Sequence, residues 1–376
     1  MDNELSTNEL VRYSRHLSLP DFGIEGQCKL KNTSVLIIGA GGLGIPLLQY
    51  LAAAGVGTIG IIDFDQIEIS NLQRQVIYET KDEGFLKAET AAKKIRNLNP
   101  EIQVNCYPVL LDRNNIFSIF ENYDIVADGS DNFPTRYLVN DACVIMKKPL
   151  VYGSVFRYEG QVSVFNYLEE NGQYGPNYRD LFPEPPPPHV VPNCAEGGVL
   201  GILPGIIGNL QAAEVVKIAS GIGTTLSGQL LIFDFLSSTF HKFKIRNSCI
   251  KIKELIDYEN FCNTDKNMEK QIKSISPADL KKLLEDNPQT ILIDVREAYE
   301  KDIANIGGQL IPLGDIPNRK EEILNHSKVI FYCRSGRRSA EAIRLLNANE
   351  QEYEYLNLEG GILAWADNID PSITKY

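Results

Sequence analysis

Ser34-Val35-Leu36-Ile37-Ile38-Gly39-Ala40-Gly41-Gly42-Leu43-Gly44 is the stretch on which the fold turns. Its first five residues form an apolar, β-branched run of strand length. Gly39, Gly41 and Gly44 then give G-x-G-x-x-G, and Ile45 to Ala54 has helical spacing. Glycines at such a strand–helix junction let phosphate groups approach the backbone, and the helix N-terminus offers oriented N–H groups. Working outward, Thr58 to Ile62 reads as a second strand ending at Asp63, and Phe85 to Leu98 as a helix with Lys93 and Lys94 on its wet side. Ile102 to Val109 and Ile125 to Ala127 read as further strands, and a short helix is expected near Leu10 to Leu17. Strand–helix alternation of this kind predicts a doubly wound, mainly parallel α/β sheet.

The chain has 376 residues, enough for two or three domains at about 150 residues each. Hydrophobic residues make up 43% and charged residues 23%, which excludes a mainly disordered chain. With 37 basic and 49 acidic side chains the formal charge is −12, the wrong sign for binding nucleic acid by phosphate neutralisation. Seven irregularly spaced cysteines argue against a disulfide framework and for reduced thiols in a cytoplasmic protein. The N-terminus shows no secretory pattern. Val199 to Ala219 is apolar but contains Asn209, Gln211, Glu214 and Lys217, so a buried helix is expected there and no membrane partner.

By itself the glycine motif is shared with NAD-dependent dehydrogenases, and no G-x-x-x-x-G-K-[ST] occurs to suggest a P-loop. The residues that follow point to a nucleoside triphosphate. Asp63-Phe64-Asp65 leads into Ser70-Asn71-Leu72-Gln73-Arg74-Gln75, Lys87 opens a helix, and Asp128-Gly129-Ser130-Asp131-Asn132 comes later. Arg74 and Lys87 can neutralise phosphate charge, and Asp131 can hold Mg2+, which prefers oxygen ligands. Any one of these charges alone reads as a solvated surface group; together they do not.

These residues closely resemble the MoeB/ThiF/HesA family, relatives of ubiquitin-activating enzymes, over about residues 8–260. The likeness also takes in Arg12-Tyr13-Ser14-Arg15, Gly26-Gln27, Glu159-Gly160-Gln161 and Cys194-Ala195-Glu196-Gly197-Gly198-Val199. The resemblance implies a Rossmann-like fold with a crossover loop. It also implies adenylation, with MgATP, of the C-terminal glycine of a ubiquitin-like sulfur carrier ending in Gly-Gly. In that reading Asp63 binds ribose, Asn71, Arg74 and Lys87 the phosphates, and Asp131 the metal. Gly39, Gly41, Gly42, Gly44, Asp65, Ser70, Gln75 and Asn132 complete the nucleotide-binding set. Because the family is homodimeric, Arg15 would reach the triphosphate held by a second copy. Cys194 would join covalently to the carrier during transfer; taken alone it reads as a small buried hydrophobe.

One departure from the family concerns zinc. Many relatives carry two C-x-x-C pairs, and structural zinc normally takes four thiolate or imidazole ligands. Asn177-Tyr178-Arg179-Asp180 and Cys249-Ile250-Lys251-Ile252 stand at those places, so no zinc is expected.

The chain turns polar near Asn263 to Lys270, and the pattern restarts at Ile275. The expected organisation is an adenylyltransferase domain over 1–262, a linker over 263–271 and a second domain over 272–376. The proline-rich 183–192 reads as a surface loop or as an arm placing Cys194. In the second domain a helix start at Ser276-Pro277 and a strand at Ile291 to Asp294 precede the strand Val329-Ile330-Phe331-Tyr332. That strand runs into Cys333-Arg334-Ser335-Gly336-Arg337-Arg338-Ser339, with a helix expected from about Ala340. Loop N–H groups, a helix N-terminus and arginines around a sulfur favour its anionic form, thiolate or persulfide. A cysteine phosphatase, C-x5-R, would need arginine where Ser339 stands. The segment resembles the active loop of a rhodanese domain over about 272–370, together with Asp294-Val295-Arg296-Glu297, Gly307-Gly308 and Leu358 to Trp365. Asp294 and Arg296 read equally as a structural ion pair.

The combined expectation is adenylation followed by persulfide sulfur transfer, giving a carrier thiocarboxylate of the molybdopterin-synthase type in molybdenum cofactor biosynthesis. The sulfur would come from a donor such as a cysteine desulfurase. The thiamine-pathway carrier, or a nucleotide-holding scaffold that only recruits partners, are the alternatives. A flexible linker of about nine residues spans ~15–18 Å and makes the second step effectively intramolecular.

Overall fold

The computed structural model describes residues 4–186, 198–248, 250–259, 272–346 and 353–376. It divides into two compact units, Met1–Thr264 and Asp265–Tyr376. The expected linker and most of the proline-rich segment, with Cys194, lie outside the described residues.

In the first unit the strands are β1 (Ser34–Ile38), β2 (Thr58–Ile62), β3 (Gln103–Tyr107), β4 (Ile125–Asp128), β5 (Leu150–Phe156), β6 (Glu159–Phe165), β7 (Gln229–Asp234) and β8 (Thr239–Lys244). They form one sheet in the order β3-β2-β1-β4-β5-β6-β7-β8. From β3 to β5 the pairing is parallel; from β5 onward it is antiparallel. Chain order reverses at β1, between β2 and β4, which opens a crevice at the carboxyl ends of these strands, where α/β sheets bind ligands. The register sets Ile38 beside both Ile62 and Asp128, so the three strand ends are level. Buried faces of β1 and β2 pack with the helices Gly44–Ala54 and Lys87–Leu98 into one core; Ile116, Phe120, Tyr123, Tyr137 and Phe165 fill a second.

The apolar helix at Ile202–Ser220 lies against β5, β6 and the helix Gly44–Ala54. By length and composition it could cross a membrane. Its interior polar groups are instead committed: Gln211 Nε2 donates to Asp128 O (2.8 Å) and Val151 O (3.3 Å), and Glu214 accepts from Leu226 N–H (2.8 Å).

Several expected boundaries move. The first helix divides into Thr7–Arg12 and Ser14–Leu17, the helix read from Phe85 begins at Lys87, and the strand read as Ile102 to Val109 shortens to β3. Lys94 is not a wet-side lysine: its Nζ donates to Ile77 O (2.7 Å) and pairs with Glu79 (2.9 Å) and Asp82 (2.5 Å).

The second unit is a five-stranded, wholly parallel sheet in the order β11-β10-β12-β13-β9. These are β9 (Ser274–Ile275), β10 (Ile291–Asp294), β11 (Gln309–Leu310), β12 (Lys328–Tyr332) and β13 (Glu354–Leu358). Ser276 caps the helix Pro277–Asp286 by accepting from Asp279 N–H (3.1 Å), with proline at its first position. Cys333 leaves the central strand β12, flanked by β10 and β13.

Candidate functional site

The glycine turn sits at the level end of β1. A Cβ on Gly44 would fall 1.8 Å from Gly39 O, so only glycine lets the helix start this close to the strand. Asp63, at the end of β2, reaches across: Ala40 N–H donates to its Oδ2 (2.7 Å) and Asp65 N–H to its Oδ1 (2.8 Å). Burial pushes the Asp63 carboxyl above its ordinary value, with Lys87 and these two N–H groups acting against the rise. Tyr78 Oη donates within the same turn, lying 2.9 Å from Ala40 O and 3.1 Å from Lys87 O.

Two basic residues border this turn. Lys87 is buried, and its Nζ lies 2.8 Å from Asp65 Oδ2. Arg74 Nη1 donates to Ser70 O (3.0 Å), and its aliphatic stem lies beside Gly42. Gln75 packs under Gly41. Asn71 Oδ1 accepts from Glu68 N–H (3.3 Å), closing the single turn Ile69–Asn71 that carries Ser70. Gly39, Gly41, Gly42, Asp63, Arg74, Gln75 and Lys87 are thus brought together from β1, β2 and the segment between β2 and the helix Lys87–Leu98.

Across the crevice, Gly129 follows β4 and packs on Gly39 and Gly44. Asp131 and Asn132 are exposed beyond it. Asn132 also serves the fold, since its Oδ1 accepts Thr135 N–H (2.9 Å) and caps the helix Phe133–Met146. Arg15 is exposed on the helix Ser14–Leu17.

Three groups here escaped the sequence reading. Asp128 is fully buried; desolvation pushes its carboxyl up against the pull of Arg136. Arg136 Nη2 donates to Ser130 O (3.1 Å) and its guanidinium lies over Phe133 and Tyr152. Gln211 ties β4 to β5. Their signal was a charged or amide residue inside an otherwise apolar strand or helix. Gln75 Oε1 is buried and carries no hydrogen bond among the described residues. A buried polar atom of that kind calls for a ligand or water partner. The site therefore combines a backbone cradle, two cations and an unsatisfied amide oxygen, a set suited to a phosphorylated nucleotide.

Among the described residues of the crossover region, the fastening is made by Asp180. Asn177 Oδ1 accepts Arg179 N–H (2.9 Å), while Asp180 Oδ2 accepts Asn177 N–H and Nδ2 (both 2.8 Å). Asp180 Oδ1 accepts Ser248 N–H (2.8 Å) and its hydroxyl, so one carboxylate ties the segment from Asn177 to Asp180 to the segment at Ser248. Beside it, Arg179 forks onto buried Asp141 (2.9 and 2.8 Å), which also accepts from Tyr258 Oη (2.7 Å). An amide, a carboxylate and Ile252 do not make a zinc set; Cys249 lies outside the described residues. Asp180→Ala should remove about 2 kcal/mol, lowering the first unfolding transition by ~4–8 °C in calorimetry of the full chain.

In the second unit Cys333 is buried at the end of β12. Gly336 N–H donates to its Sγ (3.2 Å), which Ser339 Oγ also approaches at 3.4 Å. Gly336 has φ +92°, a left-handed conformation that wraps the loop back over the sulfur. The helix starts at Arg337, three residues earlier than read, so Arg337 and Arg338 lie in its first turn instead of in the loop. Arg334 is half-buried and Ser335 exposed. Arg338 forks onto Glu300 with both contacts at 2.6 Å. Asp294 and Arg296 form a fully buried bidentate pair (2.6 and 2.8 Å), a structural tie as the sequence allowed.

Burial raises the Glu300 carboxyl, but the hydrogen bond and charge of Arg338 and the N–H of Glu297 outweigh it and hold the group below its ordinary 4.5. A depressed folded value contributes stability above 4.5 that is lost as pH falls through the lowered value. Glu300→Gln should cost ~3 kcal/mol at neutral pH, and the difference in melting from the parent should close in acid.

Residues 13–251 match the ThiF family, and residues 276–368 match the Rhodanese-like domain. The chain is 47% identical over 99% of its length to a probable adenylyltransferase/sulfurtransferase MoeZ of Mycobacterium tuberculosis, covering 96% of that protein. It is 43% identical to the adenylyltransferase and sulfurtransferase MOCS3 of Xenopus laevis, over 99% of this chain and 89% of that one. The first unit is 51% identical to a sulfur carrier protein adenylyltransferase of Thermus thermophilus, over 68% of this chain and 97% of the relative. Among solved structures, E. coli MccB with MccA-N7isoASN aligns with TM-score 0.56 and 23% identity, over 67% of this chain and 76% of that one, a likeness of fold.

Proposed function

The chain belongs to the ThiF family and is an adenylyltransferase with a C-terminal rhodanese-like sulfurtransferase domain, and from that premise we propose that it converts the terminal carboxylate of a ubiquitin-like sulfur carrier into a thiocarboxylate. The observation that carries this reading is that Lys87 and Arg74 both border the Gly39–Gly44 turn: Tyr78 joins the main chain of Lys87 to Ala40, the Lys87 charge acts on Asp63, and the stem of Arg74 lies beside Gly42.

In the first step a carboxylate oxygen of the carrier's terminal glycine attacks the α-phosphorus of ATP. The bond to pyrophosphate breaks, leaving an acyl-adenylate. Two anions meet in that attack, so fixed positive charge at the phosphates lowers the barrier; one preorganised donor is worth ~2.7–4 kcal/mol. Lys87 and Arg74 supply it, with Asn71, Ser70 and Gln75 positioned alongside, and Arg15 adds to it from a second copy in a homodimer. Asp63 receives the ribose hydroxyls at the end of β2. Mg2+ held by Asp131 would neutralise phosphate charge when bound; the donor is a hard oxygen, as that ion requires.

In the second step a sulfane sulfur on Cys333, delivered by a persulfide donor such as a cysteine desulfurase, attacks the acyl carbon and AMP leaves. The acyl group is then joined to Cys333 through a disulfide. Attack by the Cys194 thiolate on Cys333 Sγ releases the thiocarboxylate and leaves a Cys194–Cys333 disulfide, which an external thiol reduces. Domains over 1–262 and 272–376, tethered through 263–271, would make this transfer local.

The cytoplasm supplies ATP, reduced thiols and such donors. The carrier of the molybdopterin-synthase type is the preferred substrate in this reading. The test offers molybdopterin-type and thiamine-type carriers, each ending in Gly-Gly, with ATP and a persulfide donor, and weighs the products. Sulfur replacing oxygen on the first carrier supports the reading. The same change only on the second reassigns the pathway, and pyrophosphate exchange with neither carrier leaves a scaffold.

A further inference from the structure

We propose that Tyr376 is a positioning residue for sulfur-donor recognition, its phenol joining the Asp294–Arg296 pair to the Glu300–Arg338 fork beside Cys333. The inference rests on the sulfurtransferase reading of the second unit and goes beyond it to a residue outside the loop.

Three side chains, those of Arg296, Glu300 and Arg334, meet at this one. Arg296 Nη1 donates to Tyr376 Oη (2.6 Å), and Tyr376 Oη donates to Glu300 Oε1 (3.1 Å). Glu300 in turn holds both guanidinium nitrogens of Arg338. Arg334 Nε donates to the main-chain oxygen of Tyr376, and its guanidinium lies 5.7 Å from the centre of the Tyr376 ring. Arg296 lies over the opposite part of the network, 5.9 Å from that ring and 5.3 Å from the ring of Tyr332. Ile369 and Ile373 pack with Leu280, Tyr332 and Trp365 and carry the tail to this place. Burial pushes the Tyr376 phenol up to about 12, so it stays protonated and keeps donating to Glu300 across the working pH range.

The consequence is geometric. Arg334 and Arg338, on either side of the turn that wraps Cys333, are both steered by one ring, the first directly and the second through Glu300. A guanidinium recognises an anion through a planar fork, so its direction matters as much as its charge. Glu300 fills both terminal nitrogens of Arg338, so a small anionic sulfur donor such as thiosulfate meets the terminal nitrogens of Arg334, the guanidinium whose Nε and face are held by Tyr376. Tyr376→Phe keeps a ring under Arg334 but removes the hydroxyl by which Arg296 and Glu300 hold that ring in place. The expected effect is on anion affinity, by about tenfold, the size of one hydrogen bond to a charged group.

The experiment uses the full chain with thiosulfate as donor and cyanide as acceptor, comparing the parent with Tyr376→Phe and Tyr376→Ala. KM for thiosulfate should rise about tenfold in Tyr376→Phe with kcat within twofold, and further in Tyr376→Ala. A fall in kcat at unchanged KM would mean lost folded protein and would overturn the proposal. A second readout does not need turnover: protection of Cys333 by thiosulfate against iodoacetamide, mapped by peptide mass. Tenfold weaker protection in Tyr376→Phe supports the role; equal protection overturns it. If the parent fails to turn over thiosulfate, the sulfurtransferase reading, whose donor is a persulfide, is judged separately by the carrier experiment, and the protection measurement still decides the role of Tyr376.

Discussion

Cys333→Ala should abolish thiocarboxylate formation, while carrier-dependent exchange of pyrophosphate into ATP should continue at the parent rate. The two halves of this result come from different units of the chain. Cys333 sits at the end of β12 with Gly336 N–H on its sulfur, and alanine removes the atom to which the proposed function assigns the transferred sulfur. Alanine fits the space of a buried cysteine, so the parallel sheet around it survives. The glycine turn and its cations belong wholly to the first unit and keep their geometry. Product mass with a persulfide donor reads the first half; isotope exchange reads the second. Full-rate thiocarboxylate from the variant would show that the second domain is not the source of sulfur.

Asp131→Ala should abolish that exchange. Asp131 is exposed past the end of β4 and takes no hydrogen bond among the described residues, so its loss costs the fold little. A lost activity then reports chemistry and not unfolding, which a melting curve checks directly. Asp128, three residues earlier, offers the contrast: it is fully buried, and its Oδ1 accepts Ser130 N–H (2.8 Å). Replacing Asp128 would disturb the crevice itself and could not separate the two causes. Near-normal exchange in Asp131→Ala would remove this carboxylate from its assigned role.

What was legible in the sequence was what local pattern encodes. The run Ser34 to Ile38 and the turn Gly39 to Gly44 fixed a strand, a junction and a helix within eleven residues, because apolar periodicity and missing Cβ atoms act at short range. The Cys333 loop was legible for the same reason, although Arg337 and Arg338 turned out to begin the helix. What stayed hidden depends on contacts between distant residues. Lys94 looks solvated until the loop carrying Ile77, Glu79 and Asp82 folds over it. Asp180 looks like a loop acid until Ser248 arrives, and Tyr376 looks like a tail residue until Arg296, Glu300 and Arg334 surround it. Asp128 and Gln211 carried a weak signal, polarity inside an apolar element, which says that a partner exists without saying which.

The Asp180 clasp has a consequence for the environment in which such chemistry runs. Soft, electron-rich thiolates react with sulfane sulfur, and chelators strip the ions those thiolates hold. A fastening made of an amide, a hydroxyl and a carboxylate offers neither target. The crossover region should therefore keep its shape through oxidant bursts and metal scarcity, conditions in which a thiolate-bound staple would fray.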